Sequence, residues 1–187
     1  FQKMVSDIAS VALANDGDFD KLVAAEYPGA SKSVKDYVTE MVGTIGENMN
    51  VRRAGYISVS EGAVAAYVHN QVVPGLGKIG VLVGLESAGD KTKLAELGRQ
   101  IAMHIAATNP LATRKEELDP AVVERERNVL IAEAKESGRP DNIIEKMVEG
   151  RIRKFFEEVV LLSQAFVVNP DDTVEKAVKA AEADIGA

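Results

Sequence analysis

The sequence predicts an α+β protein: helices packed on a three-stranded antiparallel sheet, plus a protruding antiparallel helical arm. Three observations predict it. Apolar residues recur at helical spacing at both ends of the chain, while between Val51 and Leu85 the spacing falls to two. The connections inside that middle stretch are too short for crossover helices, so neighbouring strands must run antiparallel. A seam of apolar residues stepping by four and three, Ile144, Val148, Ile152, Phe155, Val159 and Leu162, calls for one partner helix and supplies the arm.

In chain order, Phe1 to Leu13 reads as a helix with Met4, Val5, Ile8, Val11 and Ala12 on one side, broken by Asn15-Asp16-Gly17-Asp18. Phe19 to Ala25 is a short second helix ended by Pro28-Gly29. Ser31 or Ser33 caps a third, which runs to about Ile45. Val51 to Val59 alternates as a first strand, Ser60-Glu61-Gly62 is a hairpin turn, and Ala63 to Val68 returns. A loop from Asn70 to Gly77 leads to a third strand, Lys78 to Leu85.

A helix follows from Asp90 to Thr108. Leu94, Leu97, Ile101 and Ile105 form its core stripe, flanked by Ala95, Gly98, Ala102 and Ala106, which are small enough for close backbone approach. Met103 falls on the polar side and His104 at the stripe's edge. That pair reads as a contact surface, or as a Met folded over its own helix beside a His bonded to a carbonyl. Asp119-Pro120 starts the next helix, to Glu136, with a stop at Ser137-Gly138. Asp141 or Asn142 caps a long helix to about Leu161, and Asp171 or Asp172 starts a short Ala-rich one. These last two are expected to pair as the arm. Phe1, on the apolar side of a helix already under way, and Gly186-Ala187, a helix stop leading nowhere, read as cut ends.

The 187 residues carry 22 Lys plus Arg against 29 Asp plus Glu, a net charge of −7, and no cysteine. Mean hydropathy is −0.05. That balance argues against a general binder of nucleic acid or anionic membrane, which needs a basic face. No apolar run is long enough to span a bilayer and no signal peptide opens the chain, so the simplest compartment is the cytoplasm. Without cysteine there are no disulfides, thiol catalysis or thiolate metal sites.

Gly75-Leu76-Gly77-Lys78-Ile79-Gly80 fits G-x-G-x-x-G but precedes a strand, whereas a dinucleotide loop must open a helix. His69 and His104 are the only histidines, and no carboxylate is spaced to either as a metal cage or triad. Glu116-Glu117 and Asp171-Asp172 suit helix starts, where the dipole favours acids. No catalytic residue, cofactor or metal site is therefore expected. An enzyme reading would need one of the histidines in a cleft with a carboxylate in reach.

Three stretches together resemble the core of bacterial elongation factor Ts: Ile45-Gly46-Glu47-Asn48-Met49-Asn50-Val51-Arg52-Arg53, then Ile101 to Ala107, then Glu145-Lys146-Met147-Val148-Glu149-Gly150-Arg151 with its continuation to Phe166-Val167. The resemblance covers nearly the whole chain. It implies a guanine nucleotide exchange factor for elongation factor Tu. The first half of the core would be residues 1–88, the second half 89–136, incomplete at its C-terminal end, and the arm 137–187. By the same resemblance Ile79, Gly80, Met103 and His104 face the partner, with His104 directed at its distal barrel. Some family members dimerise through the arm, so a structural module pairing its 141–161 helix with a second copy is the alternative. Two departures matter. The family's Thr-Asp-Phe-Val wedge, expected just before Phe1, is absent, which implies partner affinity with poor exchange. The loop Gln71 to Gly77 is also longer than in familiar members.

Overall fold

The computed structural model describes every residue except Ser137, Arg139 and Ala187. The predicted stop at Ser137 and the chain end at Ala187 thus lie outside the described residues. The chain forms two compact units: residues 1–58 with 71–78, and residues 59–70 with 79–187.

The first unit holds α1 (Gln2–Ala14), α2 (Phe19–Ala24) and α3 (Val34–Ile45). Local chemistry fixes their ends. Asp18 accepts from the Lys21 N–H and Ser33 from the Asp36 N–H, while Gly46 closes α3 in the left-handed region at φ +79°. The core is Met4, Leu22, Tyr27, Val34 and Val38, with Met49, Val51 and Ala54 packed on its flank. Those last three correct the predicted first strand. Residues 51–59 join no ladder: Val51 and Ala54 pack against the helical cluster, while Tyr56 and Ile57 are exposed.

The predicted sheet is therefore a two-stranded hairpin, β1 (Gly62–Val73) and β2 (Leu76–Glu86), and the three-stranded meander is corrected. Its turn lies within the stretch read as a loop. Proline favours the first corner of a two-residue turn and glycine the second, and Gly75 sits there at φ +80°. Ser60-Glu61 closes the opposite end instead. The Ser60 N–H and hydroxyl both donate to the Glu86 carboxylate, and the Ser87 N–H donates to the Glu61 carbonyl.

In the second unit α4 (Lys91–Thr108) lies on this hairpin. Gly98 makes the approach possible, since a Cβ there would stand 2.8 Å from the Ala65 Cβ. Val83, Ile101, Ala102, Leu161, Phe166 and Val174 form one buried cluster, with Val81, Leu85 and Ile105 beside it. α5 (Pro120–Glu136) and α6 (Asp141–Val159) pack on each other, and α7 (Val174–Ile185) packs on α4. The expected pairing of the last two helices is replaced, because the stripe of α6 is filled by α5. A short antiparallel pair, β3 (Ala165–Phe166) and β4 (Asn169–Thr173), went unpredicted. Asp171 and Asp172 lie in β4, and Thr173 caps α7 in their place.

Candidate functional site

The site grows from the end of α4. The Asp90 carboxylate accepts from the Thr92 and Lys93 N–H groups and starts the helix, and Asn109 ends it at φ +47°. The C-terminal part of α4 carries Met103, His104 and Thr108, and the His104 side chain meets the segment 164–167.

His104 is fully buried, at 0% exposure. This corrects its placement on a partner-facing edge. The physical reason is that both ring nitrogens are taken within the chain. Nε2 is 2.8 Å from Gln164 Oε1, and Nδ1 accepts the Val167 N–H at 3.3 Å. The ring also tilts against Phe166, with centroids 5.7 Å apart. Gln164 is itself buried. Its Nε2 donates to the Glu158 carbonyl at 2.7 Å, and its Oε1 lies 3.1 Å from the Thr108 hydroxyl. Because an amide oxygen only accepts, His104 must carry its proton on Nε2. The alternative reading of His104, an edge histidine bonded to a carbonyl, comes closer, with a side-chain carbonyl in that role.

The remaining expected residues lie outside. Met103 is 38% and Ile79 43% exposed, and Gly80 is exposed. Ile79 extends the row of Val81, Val83 and Leu85 past the end of the packed cluster, and Gly80 points to the other face of the hairpin. None of the hydrogen bonds to the His104 ring reaches Ile79, Gly80 or Met103. Sequence reasoning missed the turn between β3 and β4. Val167 and Val168 there are exposed apolar residues, and the backbone of Val167 is the group held by His104. The adjacent pair Val-Val ahead of Asn-Pro was the available signal.

On α6, Ile144, Val148 and Ile152 are buried against Leu130, Ile131 and Ala134 of α5. The next step of four lands on Phe156, which packs half-buried against this cluster, and Phe155 is half-buried beside it, its ring 6.2 Å from that of Phe156. Val159 sits half-buried at the helix end, where its carbonyl accepts the Leu111 N–H. Arg127–Glu149 and Arg151–Glu133 bridge the two helices at 2.6 and 2.7 Å on exposed faces, worth about 0–1 kcal/mol each. His69 is exposed and shares a 3.1 Å contact with the Tyr67 hydroxyl.

Among the described residues, no group of three or more His, Cys, Asp or Glu side chains is placed to hold a metal ion. None of their buried side-chain nitrogen or oxygen atoms lacks a hydrogen-bond partner. No helix among them is long and apolar enough to cross a membrane.

The fold and site define a helix-rich α+β protein whose buried polar groups satisfy one another beneath exposed apolar side chains. Residues 1–187 match the family described as "Elongation factor TS", and the chain belongs to that family. It is 90% identical to Elongation factor Ts of Parvibaculum lavamentivorans (strain DS-1), 59% to that of Sinorhizobium medicae and 62% to that of Allorhizobium ampelinum. Each match takes in 100% of this chain and 61% of the relative, so the chain spans about three fifths of the curated relatives it matches.

Proposed function

We propose that this chain is the partner-binding core of a translation elongation factor. It acts in the cytoplasm as a guanine nucleotide exchange factor for elongation factor Tu, with no bond made or broken by its own residues. The family match over all 187 residues carries this reading. On it, residues 1–88 and 89–136 serve as the two halves of the core; the arm, expected over 137–187, is carried by the α5–α6 pair, since α7 packs on α4. Ile79, Gly80 and Met103 contact the GTPase, joined by Val167 and Val168, and His104 braces that surface from behind.

Exposed apolar side chains on a rigid support are the raw material of such a contact, since a few buried anchors carry most binding energy. The mechanism is linkage. If the chain binds the nucleotide-free GTPase more tightly than the GDP-bound form, it weakens GDP binding by the same factor. Only contacts that differ between the two states are needed.

The test is calorimetric titration of elongation factor Tu with the chain and with Ile79→Asp and Met103→Asp. Each variant should bind roughly tenfold more weakly, about 1.4 kcal/mol, with its melting temperature unchanged. Unaltered affinity in both would remove these residues from the contact, and no binding by the parent chain would remove the partner.

A further inference from the structure

The buried amide of Gln164 does not reach the exposed surface itself, yet it is the hub of the cluster behind the exposed turn. We propose that Gln164 is a positioning residue for the partner-binding surface. It fixes the tautomer of His104, and through that ring the placement of the Val167–Val168 turn. This rests on the reading of that surface as a docking site.

The geometry runs one way. The Glu158 carbonyl, 2.7 Å from Gln164 Nε2, takes an amide hydrogen and so orients Oε1 toward α4. Oε1 then faces His104 Nε2 at 2.8 Å, with the Thr108 hydroxyl at 3.1 Å, its one hydrogen shared with the His104 carbonyl at 2.9 Å. With the proton on Nε2, the Nδ1 lone pair is free to accept the Val167 N–H, at 3.3 Å. The opposite tautomer would set two N–H groups against each other and release the turn. The backbone of Gln164 ties in the same elements. Its N–H donates to Val160, and its carbonyl accepts the Val174 N–H at the start of α7. Gln164 therefore joins α4, the end of α6, the β3–β4 turn and α7 through one residue. The side chains it controls, Val167 and Val168, are the exposed ones.

Nitrogen-15 NMR of the imidazoles in the full chain, with calorimetry against elongation factor Tu, tests this. In the parent chain His104 should show a protonated Nε2 and an unprotonated Nδ1. An Nδ1–H ring there would overturn the proposal without any variant. In Gln164→Met, which keeps the length, and in Gln164→Asn, which is one methylene short, the two nitrogen shifts should move toward each other. The Val167 amide should exchange at least tenfold faster, and partner affinity should fall about tenfold. A residue that merely fills space would leave the tautomer unmoved. Folded variants that keep the parent's imidazole shifts, or that bind as tightly as the parent after the tautomer has changed, would overturn the proposal. Should the parent chain fail to bind elongation factor Tu, the docking reading falls, while the imidazole and amide measurements still decide whether Gln164 sets the turn.

Discussion

Gly89 backs directly onto Ile185: a Cβ at position 89 would stand 2.5 Å from Ile185 Cγ2 and 2.7 Å from the Ile185 carbonyl oxygen. That same carbonyl accepts the Asp90 N–H at 2.9 Å. Beside it, Lys93 Nζ donates to the carbonyl and carboxylate of Asp184, at 2.7 and 2.8 Å. The first turn of α4 thus caps the last turn of α7, satisfying carbonyls that a helix end leaves open. Gly89→Ala pushes a methyl into a backbone atom already committed to a bond. It should cost about 1–3 kcal/mol, seen as a melting-temperature drop of several degrees. Gly43, inside α3 with nothing within 4 Å of its would-be Cβ, is the control. Gly43→Ala should raise stability by about 0.5–1 kcal/mol.

Neighbouring residues on α4 should respond in opposite ways. His104→Ala removes a fully buried ring and leaves the Gln164 amide oxygen and the Val167 N–H short of a partner. It should destabilise the chain by about 2–4 kcal/mol. Met103→Ala, on the exposed side, should change stability by less than about 0.5 kcal/mol and alter partner affinity instead. Urea melts of the two variants, read by circular dichroism, separate the roles.

The α6 stripe supplies a third contrast. Val148→Asp places a charge where Leu130, Ala134 and Ile144 already fill the space, and should cost about 3 kcal/mol or more, fraying α5 and α6 together. Phe155→Asp, at a half-buried position, should be much milder. Hydrogen exchange across residues 120–159 would show whether the loss is confined to that helix pair.

Acid should weaken the first unit through Asp7. Its carboxylate accepts from Lys3 Nζ and from the Tyr27 hydroxyl, both at 2.6 Å. These bonds, that of Lys3 first, hold it below the usual carboxylate range. The Tyr27 hydroxyl, stacked by its ring on Tyr37 at 3.6 Å, is pushed above its ordinary range by burial and then by Asp7. A depressed carboxylate adds stability that is whole above its unfolded value, about 3.9, and is lost as pH falls through the folded one. Melts followed by tyrosine absorbance should therefore show an acid-side decline below about pH 4 that Asp7→Asn flattens.

The sequence made the helices legible because their signals are local. Ser33, Asp90 and Asp119-Pro120 mark starts, and the apolar periodicity of α3, α4 and α6 marks buried faces; Asp18, read as part of a break, is in fact the cap of α2. What it hid was partnership. The stretch Val51 to Val59 alternates as a strand does, but a strand forms only where a neighbouring edge is offered, and here Val51 and Ala54 pack against helices instead. The α6 stripe announced a partner without saying that α5, not α7, would fill it. His104 was misplaced for the same reason. A histidine on a stripe's edge is surface or core according to whether a distant residue reaches it, and Gln164 does so from 60 positions away. The β3–β4 pair is too short, and too rich in Pro and Asp, to carry a strand pattern of its own.

The central claim, that this chain grips a GTPase and favours one nucleotide state of it, is tested most directly by paired calorimetric titrations. The chain is added to nucleotide-free elongation factor Tu and, separately, to its GDP complex. The account expects tighter binding to the nucleotide-free form, with added GDP weakening the chain's affinity by the factor that the chain weakens GDP's. Equal affinity for the two forms, or no binding to either, would contradict it.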